Sequence, residues 1–321
     1  MVTETIYSIN DVAAIAGQIQ QGIAAVIEGK QPQIRTALVV LLAGGHLLLE
    51  DVPGVGKTML AKALGKSIAG KVRRIQFTPD LLPSDVTGVS VFNQETRQFE
   101  FKAGGVFANI VVGDEINRAS PKTQSALLEA MAERQVSVDG HTYQLAAPFM
   151  VIATQNPIEM EGTYPLPEAQ RDRFTARINM GYPAPNSEIA MLENHGRLDP
   201  LDALLPVTNA ANIAALIQVV RTVHVAPAIN HFVVSLISAT RETPELRLGA
   251  SPRASLQLVA AARSLAALNG RNYVIPDDIT ELAVTVLAHR VLPSVEAQLA
   301  RRTPEAIISS LISRIPVPDR I

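Results

Sequence analysis

The stretch Glu50-Asp51-Val52-Pro53-Gly54-Val55-Gly56-Lys57-Thr58 follows directly on the apolar run His46-Leu47-Leu48-Leu49. An apolar strand that breaks into a glycine turn and restarts as a helix is the local layout of a phosphate-binding loop. Gly54 and Gly56 free the backbone to aim its N–H groups at an anion. Lys57 is placed to reach the terminal phosphates and Thr58 to hold Mg²⁺, and the following helix adds its positive end. Asp51 departs from the GxxxxGK(S/T) pattern, standing where the first glycine is expected. A carboxylate there is compatible with phosphate only if it points away. The residues expected against a nucleotide are Pro53, Gly54, Val55, Gly56, Lys57, Thr58 and Met59.

Two further segments repeat the theme of an apolar strand with a polar tip. Ile110-Val111-Val112-Gly113 ends in Asp114-Glu115, about sixty residues after the loop. An acid at this place in a phosphate-loop enzyme joins the metal shell, which assigns Asp114 to Mg²⁺. Glu115, one residue on, is placed to take a proton from an attacking water. Val151-Ile152-Ala153 leads through Thr154-Gln155 to Asn156. A neutral amide can position water without adding charge, although Asn156-Pro157 read alone is simply a turn.

The bulk of the chain narrows the classes. With 321 residues, 47% hydrophobic and 18% charged, it has the length and composition for a packed core in one large or two medium domains. The formal net charge of -2 makes no electrostatic case for a nucleic-acid partner. There is no cysteine, which excludes disulfides, zinc–thiolate sites and thiol catalysis. The histidines are scattered and form no HExxH pair. The N-terminal stretch lacks the basic start and apolar core of a signal peptide. The longest apolar stretch, Ala37 to Leu49, is shorter than the roughly 20 residues that span a bilayer. The expectation is a cytoplasmic protein with no membrane span.

Periodicity predicts helices over 9–27, 32–43, 57–69 and 121–134 and strands at 46–50, 73–77, 109–112, 149–153 and 177–180. Residues 78 to 105 read as irregular, with two short strands at 89–92 and 98–101. A hairpin is expected over 135–145 around Asp139-Gly140. After Pro183 and Pro185 the pattern turns helical, with candidates at 187–197, 211–223, 228–241, 252–268 and 276–289. The expected division is an α/β nucleotide-binding part over 1–183 and an all-α part over 186–321.

Taken together, GGHLLLEDVPGVGKT, VVGDEINRASPKTQSALLEAMAERQVSVDG, PFMVIATQNPIEMEGTYPLPEAQRDRF and GASPRAS resemble the MoxR family of AAA+ ATPases, over nearly the whole chain from about residue 26. That family's loop also carries Glu-Asp-Val-Pro, so Asp51 is a variant it shares. The resemblance implies a parallel-sheet P-loop domain followed by a smaller all-α lid domain. ATP and Mg²⁺ are the implied cofactors. Asn156 matches the sensor 1 position. Arg173 matches the arginine finger that acts on a neighbouring subunit's ATP. Arg253 matches the sensor 2 residue, which contacts the γ-phosphate from the lid. The chain departs from the family at Arg171, where leucine is usual, which leaves open whether Arg171 or Arg173 is the finger. Residues 78–105 match an insertion that tends to project near the pore of a ring, so that Leu81-Leu82-Pro83 would touch a client. As a structural loop, the same leucines would be buried.

The implied activity is Mg²⁺-dependent ATP hydrolysis in a homo-oligomeric ring, hexameric by expectation. It would drive chaperone-like remodelling, maturation or activation of a protein client, commonly with a von Willebrand A domain partner. Two alternatives stay open. One is a related motor that works on nucleic acid or in metal chelation. The other is a nucleotide-gated binding module with little hydrolysis, for which Glu115→Gln would be silent.

Overall fold

Strands with polar tips decide the architecture. The computed structural model describes residues 6–52, 54–156, 163–186, 188–189 and 200–318. Strands β1 (Leu47–Glu50), β2 (Val72–Gln76), β5 (Ile110–Asp114), β8 (Met150–Gln155) and β9 (Ala176–Ile178) form one five-stranded sheet in the order β2-β5-β8-β1-β9. Every pair in it is parallel. β5 is buried along its whole length and β8 along all but its last residue, as both-face coverage of a parallel sheet requires.

Parallel pairing puts like ends together. Glu50 is level with Gln155, and Gly113 with Ala153. The loop after β1, the acids closing β5 and the residue after β8 therefore share the C-terminal edge of the sheet, where open α/β sheets bind ligands. His46, Asn109, Phe149 and Thr175 precede their strands and lie on the opposite, N-terminal edge.

The first-half helices are α1 (Ile9–Val26), α2 (Gln31–Leu42), α3 (Lys57–Ser67), α4 (Pro83–Thr87), α5 (Pro121–Glu133) and α6 (Glu168–Arg171). At the start of α1, Ser8 Oγ accepts from Asp11 N at 3.3 Å and the Asp11 carboxylate accepts from Ser8 N at 2.7 Å, closing a capping box. Ser120 caps α5 ahead of Pro121. The expected hairpin is present as β6 (Gln135–Val138) and β7 (His141–Gln144), turning at Asp139 and Gly140, both with positive φ.

The insertion is more ordered than its sequence suggests. It holds α4 and an antiparallel pair, β3 (Gly88–Asn93) and β4 (Gln98–Ala103). The Asp85 carboxylate accepts from Leu82 N at 2.9 Å and so caps α4. A helix of five residues is too short to register as periodicity. Leu81 is half-buried and packs on the core, whereas Leu82 is 59% exposed.

The second half contains α7 (Pro200–Ala203), α8 (Ala210–Arg221), α9 (Pro227–Glu242), α10 (Pro252–Leu268), α11 (Pro276–Leu287), α12 (Val295–Leu299) and α13 (Pro304–Arg314), with a small antiparallel pair of β10 (Leu246–Leu248) and β11 (Leu292–Pro293). The expected helix at 187–197 lies outside the described residues. Helices α7, α12 and α13 have no counterpart in the sequence reading, although Ser294 and Thr303 cap the last two by the ordinary rule. One apolar cluster runs from α1 and α2 through Leu60, Val112 and Ile152 to Leu258, Leu265 and Ile308. A second lies on the other side of the sheet around Phe77, Leu127, Val151 and Phe174. Among the described residues no helix is long and apolar enough to cross a membrane.

Candidate functional site

The loop after β1 is built for close approach. Gly54 and Gly56 have φ of 84° and 88°, in the left-handed region that disfavours side chains. A Cβ added at either would meet nothing within 4 Å, so the space beside the loop is open. Lys57 donates to the carbonyl oxygen of Asp51 at 2.7 Å, folded back across its own loop. Pro53 lies outside the described residues. Val55 is buried, and Gly56, Lys57, Thr58 and Met59 are half-buried at the turn into α3. The Asp51 carboxylate turns away as the sequence requires, accepting from Val52 N at 2.8 Å and from Gly181 N, just beyond β9.

Across the edge, Asp114 is 6% exposed. Thr58 Oγ1 lies 3.4 Å from its Oδ2, Arg74 Nε 2.5 Å from the same oxygen, and Thr154 Oγ1 donates to its Oδ1 at 3.1 Å. The Thr154 hydroxyl also accepts from Glu115 N at 2.9 Å, so one side chain fixes both acids. Glu115 has φ 55° and ψ 50°, an unusual backbone for a non-glycine residue that turns its carboxylate off the strand axis. Gln76 Nε2 donates to Glu115 Oε2 at 2.8 Å, and Arg118 Nε lies 3.2 Å from it. Asn156, buried to 6% exposure, follows β8 at this same edge.

The donor set fits Mg²⁺. A hydroxyl and a carboxylate oxygen 3.4 Å apart are hard ligands of the kind it prefers, and Arg74, which pairs with the same oxygen, would have to release it to an ion. Among the described residues no three His, Asp or Glu side chains gather into a cage. An ion here would complete its shell with phosphate and water oxygens, its usual habit.

Arg173 and Arg253 are elsewhere. Arg173 precedes β9, and Thr175 N donates to His46 O at 2.8 Å on the N-terminal edge. There Arg173, Arg253 and Arg134 line one cleft of about 390 Å³, together with Gly44, His46 and Gln257. Arg173 Nε is buried without a hydrogen-bond partner among the described residues. Arg171 does not line this cleft and lies 3.9 Å from Glu168. Arg253, at the start of α10, is half-exposed and 3.8 Å from Asp172. Arg134 donates to Gly44 O at 2.7 Å, and burial, then the charge of Arg221, lowers its pKa. Neither Arg173 nor Arg253 approaches the chain's own phosphate loop, because the length of β1, roughly 13 Å for four residues, separates the two edges.

His46 borders the cleft. Its Nδ1 accepts from Val151 N at 3.0 Å and its Nε2 lies 3.1 Å from Met131 O, which fixes the neutral Nε2–H form. Desolvation pushes its pKa down to about 4. Sequence reasoning missed Thr154, Arg74 and Gln76 on one edge, and Arg134, Asp172 and Arg290 on the other. Thr154 carried a readable signal, a hydroxyl ending a buried apolar strand. The arginines carried none beyond their charge.

Comparison with known proteins gives consistent relatives. Residues 46–176 match the profile of the ATPase family associated with various cellular activities (AAA), and residues 238–311 match the AAA lid domain. A Bacillus subtilis protein described as uncharacterized, YeaC, is 50% identical over 96% of each chain. Chaperone MoxR1 of Mycobacterium tuberculosis is 42% identical over 92% of this chain and 80% of its own, and Protein MoxR of Paracoccus denitrificans 32% identical over 91% and 93%. A crystal structure from Cytophaga hutchinsonii, described provisionally as an ATPase, superposes with a TM-score of 0.90 at 35% identity, covering 97% of both chains.

Proposed function

The chain belongs to the MoxR family of AAA+ ATPases, and from that premise we propose that it forms a ring, hexameric by our reading, whose active sites are completed between copies. The observation that carries this is the placement of Arg173 and Arg253 together in one cleft on the sheet edge opposite their own phosphate loop. In a head-to-tail ring the cleft of one copy faces the loop of the next, since heterologous contacts repeat the same pair of surfaces.

Each residue then has a task. The Gly54–Thr58 backbone holds the phosphates of ATP, and Lys57 leaves the Asp51 carbonyl to meet the terminal ones. Thr58 and Asp114 would hold Mg²⁺, which neutralises phosphate charge when bound. Glu115 takes the proton of the water that attacks the γ-phosphorus, and the bond to the ADP oxygen breaks. Asn156 orients that water. Arg173 and Arg253 of the neighbouring copy meet the charge that develops in the transition state. Arg173 rather than Arg171 is the finger in this assignment, because only Arg173 lines the cleft.

Hydrolysis drives a conformational cycle in the second half of the chain, with the hinge placed at residues 183–185 between a nucleotide-binding part and a lid. The output we assign is chaperone-like remodelling or activation of a protein client in the cytoplasm, where ATP is supplied, with a von Willebrand A domain protein as the expected partner. The insertion offers exposed apolar side chains for that client: Leu82, Val91, Phe92 and Phe99. The test is Mg²⁺-dependent ATP hydrolysis per protomer against protein concentration. Specific activity that climbs with concentration and loses its climb in Arg173→Ala supports an intersubunit site. Full activity in a monomer, sized at the lowest concentration, overturns it.

A further inference from the structure

Arg290 is the one buried arginine among the described residues, at 3% exposure, and nothing in the catalytic scheme uses it. It closes the short 3₁₀ turn after α11. Every nitrogen of its guanidinium is engaged. Nε donates to Val286 O at 2.7 Å, one terminal nitrogen to Asp172 Oδ1 at 2.8 Å, and the other to Phe174 O at 2.5 Å and to Gln257 Oε1. Asp172 and Phe174 are the residues on either side of Arg173. The guanidinium fork thus grips the chain before and after that residue and leaves its side chain free to enter the cleft.

The same carboxylate reaches the second arginine. Ser251 Oγ, one residue before α10, lies 2.9 Å from both oxygens of Asp172, and Arg253 Nη1 is 3.8 Å from Oδ2. His289 Nε2, 3.0 Å from Phe174 O, adds a second hold on that carbonyl. Burial lowers the pKa of Arg290 to about 10, with Asp172 opposing the shift, so the group stays charged at neutral pH. A buried ion pair is a poor device for stability alone, because desolvation offsets its attraction. A planar fork that bonds several acceptors at once is a good device for fixing geometry.

We propose that Arg290 is a positioning residue for the intersubunit active site, locking Arg173 and, through Asp172 and Ser251, Arg253 into one rigid pair that enters a neighbour's phosphate site together. The proposal rests on the intersubunit reading above. It deepens that reading by naming a residue of the second half that sets the geometry of a finger carried by the first. Positioning residues act on turnover, since a misplacement of about 1 Å at a charge-stabilising group can lower rate about 100-fold.

The test is subunit mixing. Arg290→Gln should lower kcat about 100-fold and change KM and the binding of a fluorescent ADP analogue less than about 3-fold. Arg290→Lys reaches Asp172 but cannot grip both sides of Arg173, and should lose about 10-fold. Either variant keeps an intact phosphate loop, whereas Lys57→Ala keeps intact arginines. Mixing an Arg290 variant with Lys57→Ala should restore activity that neither has alone. Arg173→Ala mixed with Lys57→Ala is the control for the ring reading itself. If that control recovers and the Arg290 mixture does not, Arg290 is structural and this inference falls alone. If the control fails, the intersubunit reading falls and takes this inference with it. Activity within 2-fold of the parent in Arg290→Gln would also overturn it. If Arg290→Gln does not fold, Arg290→Lys carries the same comparisons.

Discussion

The two edges of the one sheet are constructed on opposite plans. On the C-terminal edge, the candidate groups gather at the ends of three strands, with Lys57 and Thr58 following the loop after β1, Asp114 and Glu115 at the end of β5, and Asn156 after β8. On the N-terminal edge, the cleft is gathered from far apart: Gly44 and His46 before β1, Arg134 after α5, Arg173 before β9 and Arg253 at the start of α10. The first edge is polar and open, with Gly54 and Gly56 leaving space. The second is arginine-rich and tightly backed, with a buried ion pair behind it. A phosphate-binding edge needs backbone freedom. In the proposed ring, the second edge would meet a phosphate held by another copy, a task that calls for rigid side chains.

The largest effect expected from breaking this division comes at the arginine edge. Arg173→Ala should lower ATP turnover about 10⁴-fold while ATP still binds, as removal of a transition-state cation does. An ATP-affinity loss of similar size in a binding titration would instead place Arg173 against its own nucleotide. Next comes the acid of the opposite edge. Glu115→Gln keeps the size and the partners Gln76 and Arg118 and should cost about 10³-fold in turnover. Unlike Arg173→Ala, it should trap ATP, read as labelled nucleotide retained through gel filtration. Release of that nucleotide with turnover intact would remove Glu115 from proton transfer.

Legibility of the sequence followed the same division. Strand tips are local, and β1, β5 and β8 announced themselves because a parallel sheet buried on both faces needs unbroken apolar runs. Most of the long helices were visible by period, the exception being α13, eleven residues behind a Thr303 cap. Short helices were not: α4 and α12 hold five residues each, less than two turns. The cleft was half legible. Arg173 and Arg253 could be named only through family resemblance, since nothing in their neighbours signals that two residues eighty positions apart converge. Arg290 was invisible because His289-Arg290 after an amphipathic helix reads as a solvated end, and only tertiary packing buries it.

A stability measurement sharpens the comparison on the N-terminal edge. Burial holds the His46 pKa at about 4, below the ordinary 6.5. Between those values the unfolded chain binds the proton and the native state does not, so stability rises with pH through this window and falls as acid is added. The full swing is about 3 kcal/mol for this group, and buried His289, also lowered mainly by desolvation, acts in the same direction. His46→Gln can keep both hydrogen bonds without titrating. Urea midpoints at pH 7 and pH 5 should therefore fall less between the two values for this variant than for the parent. Equal falls would mean that His46 contributes nothing to the acid limb.

The smallest effect belongs to the residue that joins two acids at the other edge. Thr154→Val preserves the branched shape that β8 packs, and its methyl groups suit a position 1% exposed. It removes the hydroxyl that donates to Asp114 Oδ1 and accepts from Glu115 N. The lost pair of bonds should lower stability by about 1–2 kcal/mol, since the Glu115 amide is left without its acceptor. The catalytic consequence separates the two acids. Asp114 keeps Arg74 and Thr58, so Mg²⁺ dependence of ATP binding should change less than about 3-fold. Glu115 loses the anchor of its left-handed backbone, so turnover should fall about 10-fold as its carboxylate drifts. A variant with impaired metal dependence and normal turnover at saturating Mg²⁺ would reverse that assignment. It would mean that Thr154 serves the metal site and that the backbone of Glu115 is held by the turn into Arg118 rather than by β8.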